Sequence, residues 1–543
     1  MQGCPNSLTS GRIQRSPATQ APPFMRCPLA MAQDEIELKL LLPGAVVTSI
    51  EQQLRSLKVL ARRSSQVHEL WNVYYDTPDQ QLRQQRHALR MRRVLAVHEK
   101  VSRTRNATKG TWIQTFKSAG ISTGGLSQRG EWETQERSAQ LNRAALRDTP
   151  WAELDPDGQL FDTLQPCFQT RCRRTTWQLH RYRGASIEVA LDVGEITAEG
   201  RSAPILELEL ELKAGPPEAL FQLAKTLAEH IAVLPCDASK AERGYRLASG
   251  TPDPVSPAKP ARLATDVQPP AAARAVLRHL YEQLTRHLAA LSVVDDPEVV
   301  HQARVTWRRW KSALRVFSPW LAHRPDTRGL KPLLTELGYL RDLDVLRCDT
   351  LPRWTPAFVA NEPARQQTVD ETLLRIDSAR SAQRARARAV LATPATGSAL
   401  LNLAHELSTP GAADTPHGAK ARAGKHGRSN PASTAWAVKR FARLERRLSR
   451  SRTAARQTGA APHEQHLIRL RAKQARYGAE MLRDLLPKKR QKALVRQTTR
   501  IQTDMGNNRD LLQAVKLLSS MPVDPALAEF LRGVAAGQGP TPA

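Results

Sequence analysis

Glu35 and Glu37 stand two residues apart in EIELK, and Glu207, Glu209 and Glu211 repeat that spacing in ELELELK. In an extended strand, residues i, i+2 and i+4 share one face. Each run therefore presents its carboxylates together, with Lys39 and Lys213 completing the two faces. Matching cations occur elsewhere: Arg90 and Arg92 share a face of ALRMRR, Lys117 ends WIQTFK, and Arg129 alternates with Glu131 and Glu133 in RGEWE. Glu188 and Asp192 share a face of IEVALD. Paired carboxylates are hard oxygen donors suited to Mg2+ or Mn2+, and guanidinium and ammonium groups suit phosphate oxygens. Together they supply what a metal–triphosphate complex requires. One such strand alone is commonly the solvated side of an amphipathic sheet. The set argues otherwise, because nearly every strand carries ionic residues at alternate positions and few neutral polar ones.

The elements that must position these groups are strands. EIELKLLL, ALRMRRV, TWIQTFKS, GEWETQE, SIEVALDVGEITA and PILELELELK all alternate with period two, and helical pieces intervene at 44–65 and 218–231. After residue 273 the strand signatures vanish and Leu/Ala/Arg-rich helical periodicity takes over. The pattern predicts an α+β chain, an antiparallel β-rich domain over 31–250 followed by an all-helical domain over 274–525. Residues 1–30 are expected to be an unstructured leader, with Met31 opening the folded protein. The Pro/Ala-rich stretch 251–273 reads as a linker, 408–433 as a long tether, and 526–543 as a C-terminal tail.

With 543 residues and 41% hydrophobic content, the chain can build several cores. No apolar stretch reaches the ~18 residues of a membrane-spanning helix. Six cysteines, at positions 4, 27, 167, 172, 236 and 348, form neither a disulfide framework nor a CxxC pair, which points to a reducing cytoplasm. The net charge of +29 is unevenly placed: 46 basic and 23 acidic residues lie in 271–543, against 35 and 29 in 1–270. A strongly basic half implies a polyanionic partner: nucleic acid, anionic membrane or polyphosphate. RNP-type aromatic motifs and zinc-finger spacings are absent, so nucleic acid would bind only nonspecifically. No Walker A loop, HExxH or GxSxG occurs to support rival chemistries.

The basic half also contains a repeat. His301, Arg304, Arg308 and Arg315 lie along one helix face with Lys311 between them, and His466, Arg469, Lys473 and Arg476 repeat the arrangement. Leu337-Gly338-Tyr339-Leu340-Arg341-Asp342 is echoed by Met505-Gly506-Asn507-Asn508-Arg509-Asp510. The two offsets nearly agree, which indicates duplication into two related helical bundles. A basic stripe kept in both copies favours a binding surface over a merely solvated face.

EIELK, with YYDTPD (74–79), ALRMRR (88–93), WIQTFK (112–117), RGEWE (129–133), TRCRRTTW (170–177), IEVALDVGEI (187–196), ELELELK (207–213) and SKAERGYRL (239–247), resembles the CYTH, or triphosphate tunnel metalloenzyme, superfamily over about 33–248. The resemblance implies an eight-stranded antiparallel β tunnel that binds a triphosphate and a divalent metal. It makes Glu35 and Glu37 metal ligands from the first strand, and Glu209 and Glu211 from the last, with Glu207 a candidate on the same face. Lys39, Arg90, Arg92, Lys117, Arg129 and Arg174 would hold phosphate oxygens, and Lys240 and Arg243 would add to them from a C-terminal helix. Glu35, Glu37 and Lys39 form the expected catalytic group. Where relatives often show TDF before the late arginine, this chain has Thr170-Arg171-Cys172.

The segments 296–317, 337–346 and 470–482 resemble the CHAD domain, with coverage from about 275 to 520. That family implies two four-helix bundles related by a pseudo-twofold axis, with a basic groove binding inorganic polyphosphate. His301, Arg304, Arg308, Lys311, Arg315, His466, Arg469, Lys473 and Arg476 are the residues expected there. CYTH followed by CHAD resembles bacterial inorganic triphosphatases. The expected function is metal-dependent (Mg2+ or Mn2+) hydrolysis of tripolyphosphate to pyrophosphate and phosphate. It would occur in the cytoplasm, in association with polyphosphate granules, and without a membrane partner. Two alternatives are a class IV adenylate cyclase-like tunnel and a non-catalytic polyphosphate-granule protein, the latter opposed by the intact ExE pairs.

Overall fold

The computed structural model describes residues 33–97, 110–250, 257, 259–408, 431–458, 462–504 and 507–537. The expected leader (1–30), most of the 408–433 tether, the start of the 251–273 linker and the Met505-Gly506 pair lie outside the described residues.

Ten strands form one sheet: β1 (Gln33–Leu41), β2 (Ser65–Asp76), β3 (Ala88–Ala96), β4 (Thr111–Lys117), β5 (Ile121–Thr123), β6 (Leu126–Glu136), β7 (Gln165–Tyr182), β8 (Ala185–Ala198), β9 (Arg201–Ala214) and β10 (Leu234–Pro235). Eight of them close into an antiparallel barrel, in the order β1-β9-β8-β7-β2-β3-β4-β6, with β6 returning to β1. The short β5 and β10 pair onto β6 and β1. Closure leaves no long edge unpaired. Alternation decides what faces where. Leu38, Leu40, Leu208, Leu210, Ile187 and Val189 are buried on the outer side, in a core shared with helix Glu218–Ala228. The intervening charged residues turn inward. The register opposes Glu37 to Glu211 and Lys39 to Glu209 across β1–β9, and Asp192 to Glu207 across β8–β9. A slip of one residue would drive every one of these charges into the apolar core.

Helices α1 (Val47–Ser56), α2 (Gln81–Gln84), α3 (Trp151–Leu154), α4 (Gln159–Asp162), α5 (Glu218–Ala228) and α6 (Lys240–Ala248) decorate the barrel. Ser239 caps α6 by accepting the Glu242 N–H at 3.1 Å. Gly244 lets α6 approach closely, since a Cβ there would meet the Phe168 ring at 2.1 Å. That approach brings Lys240, at the start of α6, to the barrel interior.

The helical domain comprises α7 (Pro269–Val293), α8 (Pro297–Val316), α9 (Lys331–Val345), α10 (Leu351–Val359), α11 (Pro363–Leu391), α12 (Pro394–Ser408), α13 (Pro431–Thr458), α14 (Pro462–Met481), α15 (Lys488–Asp504), α16 (Asn507–Ser519) and α17 (Pro525–Gly537). Among the described residues no helix is long and apolar enough to cross a membrane. In the first half α7, α8, α9 and α11 pack on one another as a four-helix arrangement, and apolar clusters also run between the two halves. One apolar cluster joins α9, α10 and α11 to α16 and α17, and another joins α7 and α8 to α13 and α14.

Two boundaries differ from expectation. The stretch read as a tail supplies α17, whose Leu527, Ala528, Leu531 and Ala535 are buried at helical spacing, with Asp524 accepting the Ala526 N–H at 2.8 Å. The end of the expected linker is already folded: Ala261 and Leu263 are buried, the Leu263 N–H donates to Asp484 at 3.1 Å, and α7 starts at Pro269. Proline suits the first helical turn, where its missing N–H costs nothing, so Pro-rich composition here marks a helix start.

Barrel and helices meet through α12. The Ser398 hydroxyl donates to the Ala228 carbonyl at 3.3 Å, and the His405 ring stacks on Phe221 at 5.0 Å with its Nδ1 2.9 Å from the Lys225 ammonium. A Cβ on Gly397 would lie 2.7 Å from the Val233 carbonyl oxygen, so the contact is backbone on backbone. The Tyr281 hydroxyl of α7 donates to the Leu400 carbonyl at 2.9 Å.

Candidate active site

A cavity of about 690 Å3 runs through the barrel. Nine carboxylates and eight cationic side chains line it. The strand-derived candidates Glu35, Glu37, Lys39, Arg90, Arg92, Lys117, Arg129, Arg174, Glu209 and Glu211 all reach it, as does Lys240 from α6. Glu207 and Arg243 are not part of that lining. Glu207 is fully buried in the wall, and Arg243 supports it with a 2.8 Å hydrogen bond while its other nitrogen is held by the Pro204 carbonyl. Arg243 is thus held as a buttress on the barrel rim, set apart from the other expected phosphate ligands.

The charges sort into two clusters. In the first, the Lys117 ammonium donates to both Glu35 oxygens at 2.9 and 2.8 Å and lies 2.9 Å from Glu131. The Arg129 guanidinium spans two carboxylates, donating to Glu35 at 2.9 Å and Glu37 at 3.1 Å, and the Ser127 hydroxyl donates to Glu37 at 3.1 Å. Burial alone would raise the Glu35 pKa, but Lys117 and Arg129 outweigh it and hold the carboxyl well below the usual range. Glu133, 3.5 Å from Arg90 and accepting the Thr115 hydroxyl at 3.0 Å, is pulled down to about 2 against its burial by Arg92, Arg90 and Lys117. Arg92 donates to Asn72 at 2.8 Å. Its own pKa is lowered, first by burial and then by the like charges of Arg90 and Arg174. Arg90 and Arg174 are by contrast raised, against their burial, by their acidic neighbours, so Arg92 is the guanidinium of the three whose charge an incoming anion would most relieve.

The second cluster is Asp192, Glu207 and Glu209, whose oxygens lie within 4.8 Å of one another. The Lys240 ammonium sits among them, 2.7 Å from Asp192 and 2.9 Å from Glu209, and also bonds Glu207. Arg174 donates to Asp192 at 2.7 and 2.6 Å and to Glu209 at 2.5 Å. Lys39 bridges the clusters, 3.4 Å from Glu37 and 3.5 Å from Glu209. Glu209 is held well below the usual range because Lys240, Arg174 and Lys39 overcome its burial.

This donor set fits a hard divalent cation: carboxylates on adjacent strands converge, and the Asp192–Glu207–Glu209 group offers oxygen donors only, although the buried Cys172 lines the same cavity. Lys240 already neutralises the Asp192 group, so a metal ion there would compete with it. Glu211 is a different corner. Burial pushes its carboxyl up, Lys213 pulls it down, and Glu35 and Glu188 push it up again, a repulsion that a cation relieves. Asp192 is the chief residue that sequence reasoning missed as a site member. Its face was legible beside Glu188, but its pairing with Glu207 depends on the β8–β9 register. Glu131, Glu133, Asn72 and Tyr74 line the tunnel as well.

In the helical domain the two basic stripes converge. Arg304 donates to the Leu334 carbonyl at 3.1 Å, and Gly338 makes room for it, since a Cβ there would come within 3.1 Å of the same guanidinium nitrogen. Burial pushes the Lys473 ammonium down to about 7, aided by Arg469, Arg308, Arg509 and Arg476. Arg469 is lowered by burial and by Arg509, Asp510 opposing and Arg308 adding. Burial and the like charges of Arg304, Arg315 and Arg308 lower Lys311, and His301 is lowered by burial and Arg341. Arg308 Nε is buried with no hydrogen-bond partner among the described residues. Arg476 lies 3.6 Å from Glu480, which also accepts from Arg309 at 3.0 Å. The His466 side chain lies outside the described residues. Arg509, seen in the repeat but not taken as a site residue, belongs to this group.

A closed eight-stranded barrel lined with alternating acids and bases, joined to a duplicated basic helical domain, is the architecture of a tunnel domain linked to an anion-attracting module. Residues 33–245 match the CYTH domain and residues 275–519 the CHAD domain, so the chain carries a CYTH domain followed by a CHAD domain. It is 34% identical over 217 residues to an inorganic triphosphatase of Haemophilus influenzae (strain ATCC 51907 / DSM 11121 / KW20 / Rd), a match covering 40% of this chain and about 55% of that protein's length. Among solved structures, it is similar to the CHAD domain from the plant Ricinus communis (25% identity, TM-score 0.41, 52% of this chain and 92% of that one). It is also similar to a putative adenylyl cyclase from Hippeastrum described as having a dominant triphosphatase activity (20% identity, TM-score 0.29, 41% and 99%).

Proposed function

We propose that the protein is a metal-dependent triphosphatase that hydrolyses inorganic tripolyphosphate, and that its CHAD domain binds long-chain polyphosphate. The observation that carries the reading is the charge inventory of the tunnel. Nine carboxylates against eight cations leave no positive surplus for a highly charged triphosphate alone, so phosphate and divalent cation are expected to enter together. The Haemophilus relative's name points to the same chemistry.

Arg92, whose charge is disfavoured beside Arg90 and Arg174, is the group an incoming phosphate most relieves; Arg90 and Arg174 flank it, and Lys39 and Lys117 bracket the chain from the adjoining walls. Glu35, Glu37, Glu209 and Glu211 are the proposed metal ligands, with Asp192 and Glu207 completing the acidic wall. When bound, Mg2+ or Mn2+ would neutralise phosphoryl oxygens and make bound water more acidic. Lys117 and Arg129 keep Glu35 ionised. The guanidinium groups stabilise negative charge that grows on the leaving pyrophosphate as the P–O bond to the transferred phosphoryl group breaks and water adds. In the helical domain, Arg304, Arg308, Lys311, Arg469 and Lys473 provide a duplicated track for repeated phosphates, with His301, Arg315, His466 and Arg476 as its proposed margins. The unpaired cysteines 167, 172, 236 and 348 suit a reducing cytoplasm, where polyphosphate granules would be the site of action.

The test is phosphate release from tripolyphosphate, ATP and long-chain polyphosphate, with and without each metal. Metal-dependent release from tripolyphosphate above the other two is expected. Cyclic nucleotide from ATP would replace the reading with the cyclase alternative.

A further inference from the structure

A second cavity, of about 500 Å3, opens off one end of the tunnel and lies between the barrel and the helical domain. It shares Glu37, Lys39, Lys117 and Arg129 with the tunnel wall, so the two spaces adjoin across those residues. Beyond that wall it gains four guanidinium groups: Arg83 and Arg86 from the β2–β3 connection, Arg246 from α6, and Arg286 from α7 of the CHAD domain. Two further carboxylates face them among the described residues, and both are engaged. Asp237 accepts the Ser122 hydroxyl at 2.7 Å and the Gly125 N–H at 2.9 Å, and Glu242 lies 3.6 Å from Arg246. Arg86 and Arg286 form no salt bridge among the described residues.

The charge balance therefore reverses from one adjoining space to the next. In the tunnel, carboxylates slightly outnumber cations; in this chamber, seven cations face three carboxylates. An oxyanion in the tunnel needs a metal to balance it, whereas one in the chamber meets guanidinium groups suited to hold it unaided. The backbone supports the arrangement. Arg86 sits at φ +63°, uncommon for a residue with a side chain, and is fixed by its N–H to the Arg83 carbonyl at 3.0 Å and by the His87 N–H to Leu82 at 2.8 Å. Arg286 is delivered by the interdomain packing, one turn beyond the buried Tyr281 that is tied to α12.

We propose that this chamber is a metal-independent phosphate site, completed across the domain boundary by Arg286. It would hold either the phosphates of a condensed chain extending beyond the three in the tunnel, or free phosphate released from it. The triphosphatase reading underlies the choice of ligand, while binding to the chamber can be measured without turnover.

The experiment is calorimetric titration of the full chain in EDTA with linear pentapolyphosphate, tripolyphosphate and orthophosphate. An Arg304→Ala/Arg469→Ala background weakens competing binding at the helical groove. Arg86→Gln/Arg286→Gln is compared with an Arg183→Gln control at the exposed β7–β8 turn, each checked by thermal melting; if the double variant does not fold, Arg286→Gln alone carries the comparison. A chain end in the chamber predicts about tenfold weaker pentapolyphosphate binding and less than about threefold change for tripolyphosphate. A free-phosphate site predicts selective loss of orthophosphate binding. No effect on any ligand, an equal effect of the control, or no binding of pentapolyphosphate and orthophosphate by the parent would overturn the proposal. Metal-dependent phosphate release is scored separately: an inert wild type whose metal-free titrations behave as expected would sink the triphosphatase reading and keep the chamber.

Discussion

The Lys240 ammonium lies 2.7 Å from the Asp192 carboxylate, tying the helix that follows the barrel to the acidic centre of its wall. Asp192 and Glu207 are fully buried and Glu209 partly so, and Lys240 is the cation that touches all three carboxylates, with Arg174 and Arg243 supporting it from either side. Lys240→Ala should destabilise the protein by about 3 kcal/mol, since breaking one side of a buried pair strands charge. For a domain of this size that corresponds to roughly 6–12 °C in melting temperature. Adding Mn2+ should recover part of the loss in the variant and do less for wild type, because the divalent ion would replace the missing cation. A melt unchanged by both the substitution and the metal would mean that these carboxylates do not depend on a shared cation.

Glu37→Gln should lower turnover of tripolyphosphate by about 100-fold or more while shifting the melt by only a few degrees. The amide still accepts from Arg129 and Ser127, and Arg129 retains Glu35, so the fold keeps most of its contacts. Full activity in this variant would remove Glu37 from the metal site.

Polyphosphate binding should depend on pH through Lys473. Its pKa is depressed to about 7, so the free groove loses one charge as pH rises through neutrality. A bound polyanion favours the ammonium form and raises that pKa, so affinity should fall as pH rises above about 7, by at most about tenfold per unit. Binding near pH 8 should also take up protons, visible as a dependence of calorimetric heat on the buffer's ionisation enthalpy. Lys473→Gln should flatten both responses. A wild-type affinity independent of pH between about 6.5 and 9 would refute this linkage.

Gly338→Ala separates stability from binding. Replacing a mid-helix glycine by alanine favours the helix by up to about 1 kcal/mol, while the new methyl group crowds the Arg304 guanidinium. Thermal stability should hold or rise as polyphosphate affinity falls. Unchanged affinity would show that Arg304 does not depend on this clearance.

Removing one cation from each half, with Arg304→Ala and Arg469→Ala, should weaken polyphosphate binding at least about tenfold and reduce its salt dependence by about two counterions, by analogy with other linear polyanions. Two arginines removed from the exposed β7–β8 turn, Arg181 and Arg183, should do far less. Equal losses from both pairs would leave only a nonspecific basic surface.

Much of this was legible in the sequence because strands obey a two-residue period. Glu35, Arg90, Lys117 and Glu209 could be placed on the charged faces of their strands from spacing alone. What spacing cannot supply is which strands are neighbours. Asp192 joins the site only because β8 lies against β9 in a register that sets it opposite Glu207, and Arg243 leaves the tunnel lining because its guanidinium reaches Pro204 on the rim. Proline-rich composition misled at Pro269, where the ring opens a helix. Leu527, Ala528, Leu531 and Ala535 kept helical spacing, but their burial depends on partners on α10 and α16 that are distant in sequence.

Helix α12 has a consequence for the ancestry of the chain. It falls between the duplicated halves, and among the described residues no matching helix follows α17. The duplication would otherwise produce two equivalent faces, either of which could meet a neighbour. With α12 seated backbone to backbone on Val233, the first half is committed to the barrel. A cut at residue 250, natural on the linear map, would strip Phe221 and Val233 of their cover. Recombination that exchanged one domain for a cousin's would have to carry a matching α12 seat with it, so the two domains are expected to have been inherited as a single unit.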